Sequence, residues 1–224
     1  FTQAKVRLAS ALDPGERADL ARHMAEIVLL ATDPLPAVVV CDDDEVRAWA
    51  ERSGARVVWC PGRGLNGAVS DGVAALRADG VGLAIVAHAD LPLATRLDWL
   101  ADFPGVSLVP DRRFDGTNVL ALPTDAGFTF SYGAGSFSRH RAEAARLDLP
   151  ARIVQDPQLS WDVDLPADLA WPGAPGPGVR LGATGATPAG HSPAPAGPAA
   201  GPADVADEPV PVVTPAGAVT NRLS

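Results

Sequence analysis

Three aspartates stand where a divalent cation could bind. Asp90 follows the apolar run 82–87 and precedes a Leu-Pro pair, and Asp162 and Asp164 lie two residues apart. We predict a strand at 161–164, so that the last two carboxylates face the same side. Such a pair repels unless a cation or a shared proton lies between the two groups, and Mg²⁺ prefers oxygen ligands. The pattern predicts a Mg²⁺ site, although helix capping by Asp164 and solvation of Asp162 are alternatives.

Two further segments have the composition of an anion site. Residues 110–118 (PDRRFDGTN) place arginines at the end of a predicted strand and then a Gly-Thr-Asn turn. Guanidinium groups and backbone N–H groups bind phosphate or carboxylate, which makes Arg112 and Asn118 candidate ligands. Residues 130–140 (FSYGAGSFSRH) place glycines and serines before a helix, whose N-terminus attracts anions. An ordinary turn is the alternative for both segments.

A glycine-rich segment, 62–67 (GRGLNG), matches the spacing of a dinucleotide fingerprint, and Asp90 follows 23 residues after its last glycine. Pro61 interrupts the passage from strand to turn, and the unit does not stand at the head of the chain. A tight turn with Asn66 capping the next helix is a second interpretation. A loop against a mononucleotide is favoured, which makes Asn66 and Gly67 candidate nucleotide ligands.

The elements that must position these residues alternate along the chain. Apolar periodicity predicts helices at 14–30, 44–52, 66–78, 94–102 and 136–147, with a last helical turn at 166–171. It predicts strands at 37–41, 56–60, 82–87, 106–109, 117–122, 128–131, 152–155 and 161–164. Continuous apolar strands separated by helices favour a mostly parallel α/β sheet covered on both faces. Ligands bind such sheets at the carboxyl ends of the strands, where the polar segments stand.

Composition bounds the remaining possibilities. The chain has 224 residues and a net charge of −9, so nucleic-acid binding is not expected as its main role. No apolar run approaches the ~20 residues that span a bilayer, so no membrane partner is expected. Cys41 and Cys60 form no metal or disulfide pattern, so we expect buried free thiols and a cytoplasmic location. Ala, Gly and Pro make up 32 of the 54 residues of 171–224, which predicts a disordered tail.

The overall charge conflicts with the predicted ligands, because an acidic protein must bind anions. A metal ion and clustered basic groups, including Lys5 as the only lysine, would have to reverse the sign locally. That requirement is typical of an enzyme that handles phosphates and is not expected of a protein-interaction module.

Several segments together resemble a known family. AKVRLASAL, LNGAVSDGVAAL, HADLPL, PDRRFDGTNVLAL, FSYGAGSFSRHRAEA and WDVDLPADL are similar to the CofC/FbiD guanylyltransferases of coenzyme F-420 biosynthesis, which resemble the wider MobA-like nucleotidyltransferases. The resemblance implies a three-layer, Rossmann-like α/β fold of the GT-A/MobA type with a mostly parallel mixed sheet. It implies a nucleotidyltransferase domain at 1–171, truncated before AKVRL so that a first, central strand is missing, and a Pro/Ala/Gly-rich disordered tail at 172–224.

The same resemblance implies an activity: transfer of GMP from GTP to phosphoenolpyruvate or 2-phospho-L-lactate, with release of pyrophosphate. By motif, Asp90, Asp162 and Asp164 would hold Mg²⁺. The acceptor, a small phosphorylated three-carbon acid, would bind Thr117, Gly133 and Ser136.

The remaining roles concern the nucleotide and the partners. Lys5 and Arg7 would face the triphosphate and assist catalysis with Asp90, and Asn66 would lie near the guanine. Hand-over to the next enzyme of the pathway is a further expectation. The alternatives are another MobA-like transferase with a different nucleotide or acceptor, and a non-catalytic truncated remnant.

Overall fold

The computed structural model describes residues 1, 4–174 and 211–216, the last six as backbone. The helices are α1 (Pro14–Ala31), α2 (Asp44–Arg52), α3 (Gly64–Ala78) and α4 (Ser136–Arg146), with 3₁₀ turns at Val6–Leu8, Asp98–Asp102 and Pro166–Leu169. The strands are β1 (Val38–Cys41), β2 (Arg56–Trp59), β3 (Leu83–His88), β4 (Val106–Pro110), β5 (Thr117–Pro123), β6 (Ala151–Ile153) and β7 (Pro211–Ala216).

Helix α1 begins where the sequence predicts it. The Asp13 carboxylate accepts the Glu16 N–H at 2.9 Å, and the Glu16 carboxylate accepts the Asp13 N–H at 2.8 Å. This reciprocal capping satisfies N–H groups that the helix cannot pair internally, and Pro14 at the first helical position has no N–H to satisfy. Helix α3 differs, because it begins at Gly64 and so contains Asn66, which therefore does not cap it.

The strands form one seven-stranded sheet in the order β2-β1-β7-β3-β5-β4-β6. Pairs β1–β2 and β4–β6 are parallel, whereas β5 runs antiparallel to β3 and β4, and β7 runs antiparallel to β1 and β3. Five of the seven strands therefore point in one direction. The predicted mostly parallel mixed sheet is confirmed.

Helices cover both faces of this sheet. Ile85 and Ala87 of β3 point to the face packed by α1 and α2, and Ala84 and Val86 point to the face packed by α3 and α4. All four side chains are at most 1% exposed. The alternation places a separate apolar core on each side, which makes the predicted three-layer architecture.

Three predicted elements are wrong. Residues 128–131 form no strand, because side chains of α4 bind their backbone: Glu143 accepts the Thr129 N–H and His140 accepts the Ser131 N–H. Residues 161–164 form no strand either, since their N–H groups go to the Asp90 carbonyl and to a side-chain carboxylate. The predicted helix at 94–102 is reduced to the 3₁₀ turn at its end.

The tail contributes a strand to the interior of the sheet. Strand β7 is paired over six residues with β3 and over two with β1. The prediction of disorder is therefore wrong for 211–216, and the sheet is continuous where a central strand was expected to be missing. Local composition cannot reveal this, because a strand in the interior of a sheet is stabilised by pairing with segments that are distant in sequence. The rest of the predicted tail, apart from 172–174, lies outside the described residues.

Two smaller expectations concern the membrane and the thiols. Among the described residues, no helix combines the length and the apolar character needed to cross a bilayer. Cys41 and Cys60 are both buried and both free, as predicted.

Candidate active site

A buried lysine joins two of the predicted carboxylates. Lys5 is 4% exposed, and its Nζ lies 2.6 Å from Asp90 Oδ2 and 2.9 Å from Asp164 Oδ1. Burial alone would lower the pKa of Lys5, but the charges and hydrogen bonds of the two carboxylates outweigh it and raise the pKa above its ordinary value. Lys5 therefore carries a permanent positive charge beside Asp90, just beyond the carboxyl end of β3.

The segment holding Asp162 and Asp164 is fixed by a residue that sequence reasoning did not select. Asp168 is 1% exposed, and its carboxylate accepts the N–H groups of Asp164 at 3.1 Å and Leu165 at 2.8 Å. The Val163 N–H donates to the Asp90 carbonyl at 3.2 Å, which joins this segment to the end of β3. The carboxylates thus converge through turn hydrogen bonds and not through the predicted strand.

Asp162 carries the clearest electrostatic cost in this cluster. Burial, together with the charges of Asp90 and Asp164, raises its pKa to about 6. Asn118 Nδ2 lies 3.5 Å from its Oδ1, and that amide also donates to the Leu159 carbonyl at 3.0 Å. Asp164 is different, because burial would raise its pKa but Lys5 and Arg7 lower it. The charged form of the Asp162 carboxylate is therefore disfavoured relative to the neutral form unless a cation lies beside it.

We expect Asp162→Asn to raise the melting temperature at pH 7 in the absence of divalent cations. The folded-state pKa of about 6 lies above the ordinary value of 3.8, so the wild type loses stability as pH rises from 4 to 6 and the variant does not. The difference should be absent near pH 4 and complete above pH 6, at about 1–3 kcal/mol. A melting series from pH 4 to 8 measures it, and a difference that is independent of pH would contradict the assignment.

The carboxylate cluster fits a cation without forming a closed metal cage. Asp90 Oδ1 is buried and has no hydrogen-bond partner in the structure. Within the part of the chain that the structure describes, no three or more His, Cys, Asp or Glu side chains converge as a self-sufficient metal site. Mg²⁺ in phosphate-handling sites commonly takes only one or two protein carboxylates and completes its shell with phosphate oxygens and water. The orphaned Asp90 oxygen is the observation that fits such an ion.

The predicted acceptor residues come together at the start of β5 and α4. Thr117 and Ser136 are each 1% exposed, and their hydroxyl oxygens lie 3.4 Å apart. His140 lies on the other side of Thr117, with Nδ1 at 3.0 Å from the threonine oxygen. Asn118, next in the chain, reaches toward Asp162, so the hydroxyl pair and the carboxylate cluster adjoin each other.

In the loop before α4, four consecutive carbonyl groups point toward the same side chain. The Arg139 guanidinium donates to the carbonyls of Ser131, Tyr132, Gly133 and Ala134. Because carbonyl and N–H point in opposite directions across a trans peptide, the N–H groups of Gly133, Ala134 and Gly135 point away from Arg139. These N–H groups are not directed at Arg139, and binding of an anion by the Gly133 backbone stays a prediction.

The structure gives the predicted nucleotide residues the following places. Asn66, in the first turn of α3, accepts the Tyr132 N–H through Oδ1 at 2.6 Å and so joins that helix to the acceptor loop. Gly67 lies one residue further, close under the Arg63 side chain. Arg7 is largely exposed, and its Nη1 lies 3.7 Å from Asp164 Oδ2. Their contacts with nucleotide stay a prediction.

Arg112 has different neighbours from those its predicted role suggested. Its Nη2 donates to Asp168 Oδ1 at 2.5 Å, and its guanidinium lies 3.7 Å from the centre of the Trp161 ring. Arg113 donates to the same carboxylate oxygen at 3.0 Å. These contacts fix the segment that carries Asp162 and Asp164, so Arg112 has a positioning role in the structure. Direct binding of acceptor by Arg112 stays a prediction.

Sequence reasoning missed three residues that organise the site. Asp168, Arg139 and His140 lie within segments already recognised as motifs, but none was assigned a role. The usable signal for Asp168 is an acidic residue three positions after Leu165 in a turn that opens with Pro166, and for Arg139 and His140 it is their place in the first turns of a helix that follows a glycine-rich loop. Each acts on backbone groups three to nine residues away, through turns whose path the spacing alone does not disclose.

The fold has a counterpart among solved structures. A protein from Desulfovibrio desulfuricans G20, described as a nucleotide-diphospho-sugar transferase, matches with a TM-score of 0.58 and 17% identity, over 74% of this chain and 78% of that one. That identity supports the fold alone.

The particular family follows from sequence comparison. The family model described as "Guanylyl transferase CofC like" matches residues 1–171, and the chain belongs to this family of nucleotidyltransferases. A relative from Sphaerobacter thermophilus is 38% identical over 178 residues, and one from Rubrobacter xylanophilus is 35% identical over 176. Each match covers 75% of this chain and 86% of the relative, and both relatives are named phosphoenolpyruvate guanylyltransferase. The resemblance inferred from the motifs is confirmed.

Proposed function

We propose that this protein transfers GMP from GTP to phosphoenolpyruvate and releases pyrophosphate, as a step of coenzyme F-420 biosynthesis. The observation that carries the proposal is the junction of two sites at one sheet edge. A buried lysine between carboxylates lies beyond the end of β3, and a pair of buried hydroxyls lies at the start of β5, which pairs beside that end of β3. The names of the relatives supply the acceptor, phosphoenolpyruvate, in preference to 2-phospho-L-lactate.

The reaction needs no nucleophile from the protein. An oxygen of the acceptor phosphate attacks the α-phosphorus of GTP, and a new P–O–P bridge forms. The bond between the α-phosphorus and its bridge to the β-phosphate breaks, and its electron pair leaves with pyrophosphate. Because the acceptor phosphate is already ionised at neutral pH, the protein has to position two polyanions and reduce their repulsion.

The chain's own groups match that task. Lys5 keeps its positive charge when buried, since its pKa is raised, and Arg7 adds a second cation on the exposed side of Asp164. These two groups offset the negative charge of the triphosphate in a protein whose net charge is −9. Thr117, Ser136 and the N–H groups of the loop at 133–135 hold the acceptor's phosphate and carboxylate.

Mg²⁺ belongs to the same proposal. Asp90 would hold it through the buried Oδ1 that has no protein partner, together with Asp162 or Asp164. When bound, the ion screens repulsion between the substrates and stabilises the charge on the departing pyrophosphate. Binding it would also compensate Asp162, whose pKa is raised in its absence.

Three further expectations complete the proposal. We place the reaction in the cytoplasm, where GTP and phosphoenolpyruvate are metabolites, and we expect the guanylylated product to pass to the next enzyme of the pathway. Asn66 and Gly67 would lie beside the guanine at the start of α3.

A substrate panel tests this assignment. The purified chain would be incubated with Mg²⁺ and GTP, ATP, CTP or UTP, each with phosphoenolpyruvate or 2-phospho-L-lactate, and the products identified by mass. We expect the guanylylated phosphoenolpyruvate to dominate. Another nucleotide or acceptor would identify a related transferase, and no product with any pair would favour a non-catalytic protein.

A further inference from the structure

His140 is a buried residue with two defined neighbours and no role in the proposed chemistry. It is 0% exposed, and Nε2 accepts the Ser131 N–H at 3.0 Å while Nδ1 lies 3.0 Å from Thr117 Oγ1. The Tyr132 ring packs against it edge-on, with ring centroids 4.8 Å apart. The imidazole thus links the acceptor loop to the start of β5.

The hydrogen bonds decide which nitrogen carries the proton. A backbone N–H can only donate, so Nε2 facing Ser131 must be the unprotonated nitrogen. A neutral imidazole then carries its proton on Nδ1, and Nδ1–H donates to Thr117 Oγ1.

The surroundings keep the ring neutral. Burial lowers the pKa of His140 to about 4, and the charges of His88 and Arg139 act in the same direction, opposed by Glu143. Protonation would turn Nε2 into a donor facing the donating Ser131 N–H, which the geometry does not accommodate. The ring is therefore neutral, with one fixed tautomer, throughout the physiological pH range.

Thr117 is constrained in turn. Its oxygen accepts the hydrogen bond from Nδ1–H, so its own hydroxyl proton is directed away from the imidazole. Ser136 Oγ lies 3.4 Å away, placed to donate to the threonine oxygen and not to accept from it, and this distance is long for an O–H···O bond. The threonine therefore retains a hydrogen-bond donor that the protein itself satisfies only weakly.

We propose that His140 is a positioning residue that fixes the Thr117 hydroxyl as a donor to the anionic acceptor. A hydroxyl that is free to rotate can present a lone pair to an anion, whereas one held by Nδ1–H presents its proton. The inference rests on the proposed function for the identity of the acceptor, but the tautomer and the donor direction rest on the hydrogen bonds alone.

The tautomer can be measured without turnover. The chain with ¹⁵N-labelled histidine contains four histidines, and comparison with His140→Asn assigns the signal of His140. We expect Nδ1 to be protonated and Nε2 to be unprotonated at pH 7, and the pattern to persist down to about pH 5. Protonation on Nε2, or a charged ring at pH 7, would overturn the proposal.

A pair of variants distinguishes the hydrogen bond made by Nδ1 from the one made by Nε2. In His140→Asn the amide takes the place of Nδ1 and can still donate to Thr117, but the acceptor for Ser131 is lost. In His140→Gln the carbonyl reaches toward the place of Nε2 and can still accept from Ser131, but the donor to Thr117 is lost. Both variants leave a smaller side chain in a buried place, so both should lower the melting temperature.

The two variants should differ in acceptor binding. We expect His140→Gln to raise the KM for phosphoenolpyruvate about tenfold, the scale of one hydrogen bond to a charged group, and to leave the KM for GTP unchanged. His140→Asn should keep the acceptor KM within about threefold of wild type. Thr117→Val should remove the difference between the two variants, because the hydroxyl that His140 orients is gone.

The outcomes distinguish this inference from the proposed function. Equal acceptor KM values for the Asn and Gln variants, with an active wild type, would overturn the positioning role and leave the function intact. A wild type that neither turns over nor binds phosphoenolpyruvate in a calorimetric titration would refute the proposed function. The tautomer measurement would then still decide the hydrogen-bond direction at Thr117.

Discussion

Replacing Asp90 by asparagine is expected to lower kcat by at least about 100-fold, the scale of losing one well-placed electrostatic group. Asp90 is 3% exposed, pairs with Lys5 through Oδ2 and leaves Oδ1 without a partner. Asparagine has the same shape but carries no charge, so it removes the attraction for a divalent cation and weakens the hold on Lys5. Steady-state pyrophosphate release at saturating GTP and phosphoenolpyruvate measures the loss.

The matched control is Asp79→Asn. Asp79 pairs with Arg56 on the exposed surface, before β3, whereas Asp90 follows that strand at the other edge of the sheet. An exposed ion pair contributes little, so the control should keep wild-type turnover. Melting temperatures of both variants show whether the fold is kept. Unchanged kcat in a folded Asp90→Asn variant would refute the role of this carboxylate.

Removal of residues 175–224 is expected to destabilise the protein severely. Strand β7 lies between β1 and β3, with six residue pairs to β3 and two to β1. Losing it opens the sheet and leaves two unpaired strand edges in its interior. At about 1 kcal/mol for each net hydrogen bond, the loss is about 5 kcal/mol or more, which is comparable with the whole stability of a typical domain.

The corresponding fall in melting temperature is about 10–20 °C for a chain of this size. A matched control deletes ten residues from 180–200, which shortens the connection between 174 and 211 and keeps the strand. The length of a connection between two paired segments affects stability only weakly, so this control should melt near the wild type. A truncated chain that melts with the wild type would show that β7 adds nothing to the stability of the sheet.

Sequence patterns predicted the layers of the fold because local periodicity determines them. The alternating burial of Ala84, Ile85 and Val86 follows from the apolar run in which they lie, and Asp13 marks the start of α1. The strand at 211–216 was missed for the opposite reason. Its two prolines argue against a strand in the interior of a sheet, and its pairing partners lie more than a hundred residues away.

The site was predicted in part. Placing Asp90, Asp162 and Asp164 together was sound, because the ends of neighbouring segments meet at one sheet edge, but the strand invoked to align the last two is absent. The Asp168 carboxylate fixes that segment instead, because it accepts the Asp164 N–H. Lys5 was expected to face phosphate. Its hydrogen bonds to Asp90 and Asp164 could not be predicted, because these residues lie 85 and 159 positions away in the sequence.

The roles of Arg139 and His140 were beyond reach for a similar reason. Each is defined by the direction of backbone groups in the loop at 131–134, and the direction of a carbonyl is not encoded in residue type. Hydrogen-bond donors and acceptors become assignable only when their partners are known.

The central claim is that this chain joins GTP to phosphoenolpyruvate, and acceptor-dependent pyrophosphate release tests it most directly. The protein would be supplied with GTP and Mg²⁺, and pyrophosphate would be followed with and without phosphoenolpyruvate. We expect release only when the acceptor is present, with one pyrophosphate formed for each acceptor consumed. Release that does not depend on the acceptor, or no release with it, would contradict the account.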